Sequence, residues 1–358
     1  MACDADIETV LAEVTRLAKR EAKLTGFCIG NTRKVEKSGW YVTPIRNTAR
    51  LVAGSVIVYQ VRDAARIGRL VDGIVDYVLV DTEKKITPAM YGEDDVGNVE
   101  RVIREVVHTS TILTYKGNDI TVDSIEGLLV QLLGNGPRGI GGKKVAIIGA
   151  GNIGSKLALK LVERGAHVVI TRRTDEILET IVRALNWIKP KETIAEIVGT
   201  TNNEEAVRDA DALIATTEGT PVITASMVKS LAPGALLIDG GKGCLFPEAI
   251  RCAERRGLAI LRVDIRPGFE GYVAMLLEAE RILRCTVGRR QIDGINIVSG
   301  GLLAHGGEIV VDNVYDPEAI YGIADGMGDF VRHLSTAQSD KLEALRVRIN
   351  ALKHEMGT

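Results

Sequence analysis

The run Lys144-Val-Ala-Ile-Ile-Gly149-Ala-Gly151-Asn152-Ile153-Gly154 decides the fold of this chain. Its apolar opening reads as a short strand buried on both faces. Three glycines spaced G-x-G-x-x-G follow at once. From Ser155 to Arg164 the apolar residues fall at helical spacing, Gly165 stops the helix, and His167-Val-Val-Ile starts a second apolar run. Strand, glycine turn, helix and strand is the context in which this fingerprint marks a dinucleotide site. Gly149 allows the tight turn, Gly151 lets the backbone approach a pyrophosphate, and Gly154 lets helix and strand pack closely. With Asn152 and Ile153 between them, they put free N–H groups and a positive dipole end where phosphates would lie.

The end of the second strand selects the nucleotide. An acid there would hold a ribose 2′-OH, whereas Arg accommodates a 2′-phosphate. The chain reads Thr171-Arg172-Arg173-Thr174, with no acid before Asp175. Two guanidiniums and two hydroxyls suit a phosphate, so NADP is the expected cofactor. Further on, Asp211-Ala-Leu-Ile-Ala-Thr216-Thr217-Glu-Gly219 reads as a buried strand and the loop at its carboxyl end. Ile238-Asp239-Gly-Gly-Lys242 ends the next strand in the same way. Ligands of parallel sheets sit at such ends, so Thr216, Thr217, Gly219 and Asp239 join the expected cofactor contacts. Asp239 and Lys242 are also compatible with a structural turn.

Working outward, strands alternate with helical segments on both sides of this unit. Ile7, Val10, Leu11, Val14, Leu17 and Ala18 predict an opening amphipathic helix. The segment from Gly30 to Pro44 shows no clear period and reads as a loop with at most a short strand. From about residue 45 to 135 the alternation predicts a small α/β layer: strands at Ser55, Tyr77 and Thr111, helices over Asp63–Val71, Val96–Val107 and Ser124–Leu133. Gly134-Asn-Gly-Pro-Arg-Gly-Ile-Gly-Gly marks a boundary. The expected fold class is α/β, an N-terminal α/β substrate domain over 1–135 followed by a Rossmann-type doubly wound parallel sheet over 136–290. Residues 291–358 are expected to pack back as strands and helices, with one helix over Pro317–Leu334. A closing helix carries Leu342, Leu345, Ile349, Leu352 and Met356 at three- and four-residue steps, which suits packing on its own domain and also a homodimer seam.

Composition narrows the function. Of the 358 residues, 45 are Lys or Arg and 47 Asp or Glu, a balance unlike the basic excess of nucleic-acid binders. Aromatics at 4% leave few platforms for stacking bases. The five cysteines are scattered and form no CxxC pair, so neither a disulfide framework nor a metal site is expected. No apolar run reaches the about 18 residues of a membrane span. The acidic start has no apolar stretch of a secretory leader, so the cytoplasm is the expected location. The expected partner is a small-molecule substrate, with neither nucleic acid nor membrane.

The order of parts resembles the shikimate dehydrogenase-like group, whose wider circle includes the methylene-tetrahydrofolate dehydrogenases. The stretch Glu204-Glu-Ala-Val-Arg-Asp-Ala-Asp-Ala-Leu-Ile-Ala-Thr-Thr also resembles the ornithine cyclodeaminase and mu-crystallin group. The first resemblance implies a catalytic Lys at one strand end of the substrate domain and an Asp at another. The matching places are Leu79-Val-Asp-Thr-Glu-Lys84-Lys85 and Lys116-Gly-Asn118-Asp119-Ile-Thr-Val-Asp123. Lys85 with Asp119 is the expected catalytic pair; Lys84 and Asp123 are the alternatives, Asp123 also suiting a helix cap.

The residues support that chemistry independently. Hydride delivery to a carbonyl leaves an alkoxide, which needs a proton donor or a fixed positive charge. His305, flanked by glycines, is a further catalytic candidate. Asp264 and Arg266 end the last parallel strand and join the candidates. Arg33, Lys34 and Lys37, with Trp40, suit either an anionic substrate group or a solvated charge cluster. The expected function is NADP-dependent hydride transfer to or from a small polar carbonyl, alcohol or imine. The alternatives are a redox-neutral enzyme that recycles its nucleotide and a nucleotide-binding sensor without turnover.

Overall fold

The computed structural model describes residues 4–32, 39–86 and 98–356, with side chains as far as residue 351. It opens with α1 (Asp4–Glu21), whose Ile7, Leu11, Val14 and Ala18 recur at helical steps and are buried. Strands β1 (Leu24–Asn31), β2 (Trp40–Asn47) and β3 (Leu51–Val58) follow. Then come α2 (Val61–Val71), β4 (Tyr77–Asp81), α3 (Val99–Val106), β5 (Thr111–Tyr115) and α4 (Gly117–Leu133). The strands form one sheet in the order β2-β3-β1-β4-β5. All neighbours are parallel except β2, an antiparallel edge. Phe27, Ile29, Val56, Val58, Val78 and Val80 form its apolar face and pack with Ile7, Ile67 and Ile103 of the covering helices. Alternation sends Cys28, Ser55, Asp81 and Tyr115 to the opposite face.

Three sequence expectations change here. The aperiodic segment from Gly30 to Pro44 ends β1 and contains the first five of the eight residues of β2, so the sheet begins before residue 45. Trp40 is core, 6% exposed, with the Arg66 guanidinium 5.6 Å above its ring. It is not part of a substrate loop; Arg33, Lys34 and Lys37 lie outside the described residues. Helix α4 starts at Gly117, not Ser124. Its first N–H groups find partners on Asp81 and Glu83, more than thirty residues away, which no local pattern reveals.

The second sheet is built from β6 (Lys144–Ile148), α5 (Asn152–Glu163), β7 (His167–Thr171), α6 (Asp175–Ile188), β8 (Ile197–Thr200) and α7 (Asn203–Val207). It continues through β9 (Ala212–Ala215), α8 (Ala225–Lys229), β10 (Leu236–Asp239), α9 (Pro247–Arg255), β11 (Ala259–Arg262) and α10 (Arg266–Cys285). Its order is β11-β10-β9-β6-β7-β8 with every pair parallel, the doubly wound Rossmann arrangement that the sequence predicts. The strand order reverses between β6 and β9, where the crevice for a ligand opens. Val122, Ile125 and Leu129 of α4 pack into this sheet's core beside Ile147 and Leu157. So α4 leaves the first sheet and covers the second.

Residues 274–358 form a separate compact unit. Strands β12 (Arg289–Ile292), β13 (Ile295–Ser299), β14 (Ile309–Val311) and β15 (Ile320–Ile323) make one mixed sheet in chain order. The closing helix α11 (Thr336–Met356) buries Leu342, Leu345 and Ile349 against Ile297, Ile309, Val311 and Ile323. The helix expected over Pro317–Leu334 is absent. Gly326 and Gly328 take φ of +81° and +100°, and the Asp325 carboxylate accepts the N–H groups of Met327 and Asp329, so the segment turns instead. Among the described residues, no helix is long and apolar enough to cross a membrane.

The contact of α4 with α5 is laced by charge. Glu126 accepts from Lys160 at 2.8 Å and from Arg164 at 2.6 Å, and Asp123 lies 3.1 Å from Lys160. Burial pushes the Glu126 carboxyl up, but its two cationic partners outweigh burial and hold it below the usual glutamate value. Such a group stabilises the fold above the unfolded pKa and loses that contribution as pH falls through the folded one. Glu126→Gln is therefore expected to cost about 1 kcal/mol at pH 7, given partners that remain half in solvent. The gap from wild type should shrink below the usual glutamate pKa. Urea melts at neutral and acid pH check this; an unchanged gap contradicts it.

Candidate active site

Gly149 takes φ +111°, a conformation that side chains other than glycine rarely adopt. Thr216 locks it in place, its hydroxyl donating to the Gly149 carbonyl at 2.7 Å. A Cβ on Gly154 would lie 2.2 Å from that carbonyl, so the start of α5 and the end of β6 approach as closely as glycine allows. Gly151 differs: a Cβ there would meet nothing within 4 Å, and no side chain caps the first N–H groups of α5. The loop is thus a cradle that a methyl group would fill, with donors aimed at it. These residues fit a pyrophosphate.

Around the cradle, Arg172 donates to the Ala150 carbonyl at 2.7 Å, which holds its guanidinium beside the loop. Arg173 and Thr174 are exposed, and the Thr174 side chain makes no cap bond at the start of α6. Thr171 is buried; its carbonyl accepts the Ala150 N–H at 2.7 Å. Arg173 with the Thr174 hydroxyl fits a 2′-phosphate. Thr217 closes its own turn through Thr220, and Gly219, at φ +78°, lies against the loop after β10. Asp239 is committed to that loop. It accepts N–H groups from Gly243 at 2.7 Å and Cys244 at 3.2 Å, and Arg262 stands 3.4 Å away. Burial raises its carboxyl, but these donors prevail and lower it.

The first sheet contributes a second cluster at the carboxyl ends of β4 and β5. Lys85 Nζ lies 2.9 Å from Asp81 Oδ2 and 2.9 Å from Glu83 Oε2. Asp81 accepts the N–H groups of Glu83 at 3.1 Å and Gly117 at 3.3 Å; Glu83 accepts that of Asn118 at 3.0 Å. Asn31 fixes the Lys85 backbone by accepting its N–H at 3.0 Å. Burial pulls the Lys85 ammonium down, yet the two carboxylates outweigh burial and set it above an ordinary lysine. Lys84 is exposed. From this cluster, Asn118 Nδ2 donates to Asn152 Oδ1 at 3.3 Å, joining it to the first residue of α5.

Asp119 is one residue further on but turned elsewhere. It pairs with Lys156 of α5 and stands 3.8 Å from Lys116, with no contact to Lys85. The carboxylates that hold Lys85 are Asp81 and Glu83, which the sequence reading did not single out. The available signal was their place, two and four residues before the lysine at a strand end. Asp264 and Arg266 bind one another at 2.7 Å in an exposed turn. His305 belongs to the second unit, where its N–H donates to Glu308 at 2.7 Å and its exposed ring stands 4.0 Å from that carboxylate. Among the described residues, no group of three or more His, Cys, Asp and Glu could hold a metal ion.

Residues 144–243 match the model of the family described as NADP oxidoreductase, coenzyme F420-dependent. That match spans β6 through the loop after β10 and makes NADP the nucleotide of this domain. It supports a generic NAD(P)-dependent oxidoreductase domain and specifies neither a shikimate dehydrogenase nor a methylene-tetrahydrofolate dehydrogenase. No curated protein matches the chain. Among solved structures, a dipicolinate synthase chain from Bacillus halodurans is 17% identical, with TM-score 0.35, covering 72% of this chain and 97% of its own. L-tryptophan dehydrogenase from Nostoc punctiforme is 15% identical, with TM-score 0.40, covering 72% and 74%. CAD from Helicobacter pylori complexed with NADP(H) is 16% identical, with TM-score 0.33, covering 46% and 43%. At those scores none of them bears on the substrate.

Two substitutions separate fold from binding. Gly151→Ala should leave the melting temperature unchanged, because its Cβ enters open space, and weaken NADP at least about tenfold, because a pyrophosphate needs that space. Gly154→Ala should lower both. Unaltered NADP affinity in Gly151→Ala, measured by calorimetry, would place the phosphates elsewhere. Arg173→Ala should reduce the preference for NADP over NAD, since a charge-assisted bond contributes about 1.5–3 kcal/mol. Titration of both nucleotides reads that ratio, and an unchanged ratio contradicts the assignment.

Proposed function

We propose that this chain is an NADP-dependent oxidoreductase that moves a hydride between nicotinamide and a small polar carbonyl or imine, or the alcohol or amine in reverse. The observation that carries this reading is the caged ammonium of Lys85, tied through Asn118 to the dinucleotide loop. NADPH, when bound, supplies the hydride. The protein supplies the complementary charge. As the substrate oxygen or nitrogen becomes more negative, Lys85 Nζ–H hydrogen-bonds to it and gives up a proton, so the carbonyl gains one hydride and one proton and leaves as an alcohol.

Asp81 and Glu83 keep Lys85 protonated and aimed, and backbone donors from Gly117 and Asn118 hold those carboxylates still. Asp119 acts, in this reading, as a strut to Lys156, setting the distance between α4 and α5. The redox-neutral and sensor alternatives differ in one measurable respect: neither consumes NADPH.

NADPH absorbance against a panel of small oxo acids, cyclic ketones and imines tests the reading. Once turnover is found, Lys85→Met should lower it about 10²–10⁴-fold with NADP affinity intact, while Lys84→Met does little. Because the carboxylates raise Lys85 above its ordinary value, no loss of turnover from this group is expected until strongly alkaline pH. A Lys85→Met enzyme as fast as wild type removes the lysine from the mechanism. A basic limb near neutrality that disappears in that variant removes the raised ammonium.

A further inference from the structure

Strand β2 carries an irregularity with a chemical consequence. Thr43 pairs with Ser55 of β3, but the next paired residue is Arg46, opposite Ala53. Pro44 and Ile45 therefore face a single residue of β3, a β-bulge on an edge strand, where a proline without an N–H is tolerated. Three residues apart on a regular strand, Thr43 and Arg46 would point to opposite faces. The bulge returns Arg46 to the face of Thr43, which is also the face of Ser55 and, through the pairing of β1 with β3, of Cys28.

That row is polar and unfinished. Ser55 is fully buried and its Oγ has no partner; Thr43 Oγ1 is likewise buried without one. Among the described residues Arg46 forms no ion pair with a carboxylate, and its side chain hydrogen-bonds the Cys28 sulfur. Its guanidinium lies 5.1 Å above the Phe269 ring, near the first turn of α10. Arg46 and Thr43 are partly exposed, so the row opens at the sheet edge. Burial drives the Cys28 thiol up, with Arg46 pulling the other way, so the thiol stays neutral and leaves the arginine's charge uncompensated.

We propose that Arg46, Ser55 and Thr43 form a subsite for the carboxylate of a small acid substrate. One guanidinium and two neutral hydroxyls match a monoanion, and the fork of arginine matches two carboxylate oxygens. Asp81, which holds Lys85, lies on the same face two strands from Ser55 and two residues further along, about 12 Å away by strand and residue spacing. An oxo acid with its carboxylate at Arg46 would extend along this polar face with its carbonyl directed toward the end of the sheet that carries Lys85. The assignment of the carbonyl rests on the redox reading above; the carboxylate subsite does not.

Malonate, a small diacid that cannot accept a hydride, is the binding probe, titrated into the full chain by calorimetry with and without NADP. Wild type should bind it, and Arg46→Met should weaken it at least about tenfold, with Arg46→Lys between the two. NADP affinity, held by the other sheet, should not change and reports that the variants are folded. Ser55→Ala is the discriminating variant. Removing an unpartnered buried hydroxyl should raise the melting temperature while weakening malonate, a trade that a purely structural serine would not show. No binding by wild type, equal binding by Arg46→Met, or tighter binding of inorganic phosphate than malonate overturns the carboxylate subsite. Malonate binding that depends on Arg46, without NADPH consumption by any oxo acid, keeps the subsite and removes the redox reading. Consumption with neutral ketones alone does the reverse.

Discussion

The buried carboxylate of Asp81 is the group on which the rest of the first unit depends. A carboxylate 3% exposed is tolerated only if its lone pairs are filled. Lys85 fills one side, and the N–H groups of Glu83 and Gly117 fill the other. The Gly117 bond fixes where α4 begins, and Gly117 is a glycine at a crowded place, since a Cβ would stand 3.3 Å from Asp81 and 3.4 Å from Lys85. Once its start is fixed, the course of α4 sets everything downstream. Its apolar residues enter the core of the Rossmann sheet, its acids meet the cations of α5, and Asn118 reaches Asn152.

That arrangement also explains the charge on α5. Lys156, Lys160 and Arg164 recur every four residues, a basic stripe that in isolation would bind anions along the helix side. Asp119, Asp123 and Glu126 of α4 neutralise it. What remains available to an anion is the N-terminus of α5, where Gly151 leaves open space and no side chain caps the helix. The same contacts that join the two sheets therefore leave the N-terminus as the end of this helix that suits a phosphate in the proposed reading.

The Rossmann half was legible in the sequence because its signals are local. Glycine spacing, all-apolar strands and the Thr171–Thr174 strand end each act within a few residues. The first sheet was only partly legible. Its first two strands contain Gly26, Gly30 and Pro44, and the bulge at Pro44 and Ile45 breaks the alternation that would announce β2. The start of α4 was hidden because its caps come from Asp81 and Glu83 across the sheet. The family resemblance is what points to Asp119 as the partner of Lys85; the carboxylates that hold Lys85 are instead Asp81 and Glu83 of its own strand end. In the second unit, residues spaced for a helix over 317–334 yielded to glycines at positive φ.

Two cations on one face of the first sheet are held in opposite electrostatic states, and the difference bears on what each can do. Lys85 sits between two carboxylates, so its charge is largely spent. Such a group attracts a second anion weakly, but it retains its proton and presents it in a fixed direction, which suits an atom that becomes negative only during reaction. Arg46 has an aromatic ring and a neutral thiol beside it, and neither cancels its charge. A cation in that state favours an anion already formed in the ground state. In the proposed reading the sheet therefore assigns binding to the uncompensated arginine and chemistry to the compensated lysine. Exchanging their surroundings, rather than their identities, would be enough to lose both functions, because a lysine freed of Asp81 and Glu83 would hold the substrate carboxylate where its carbonyl must lie.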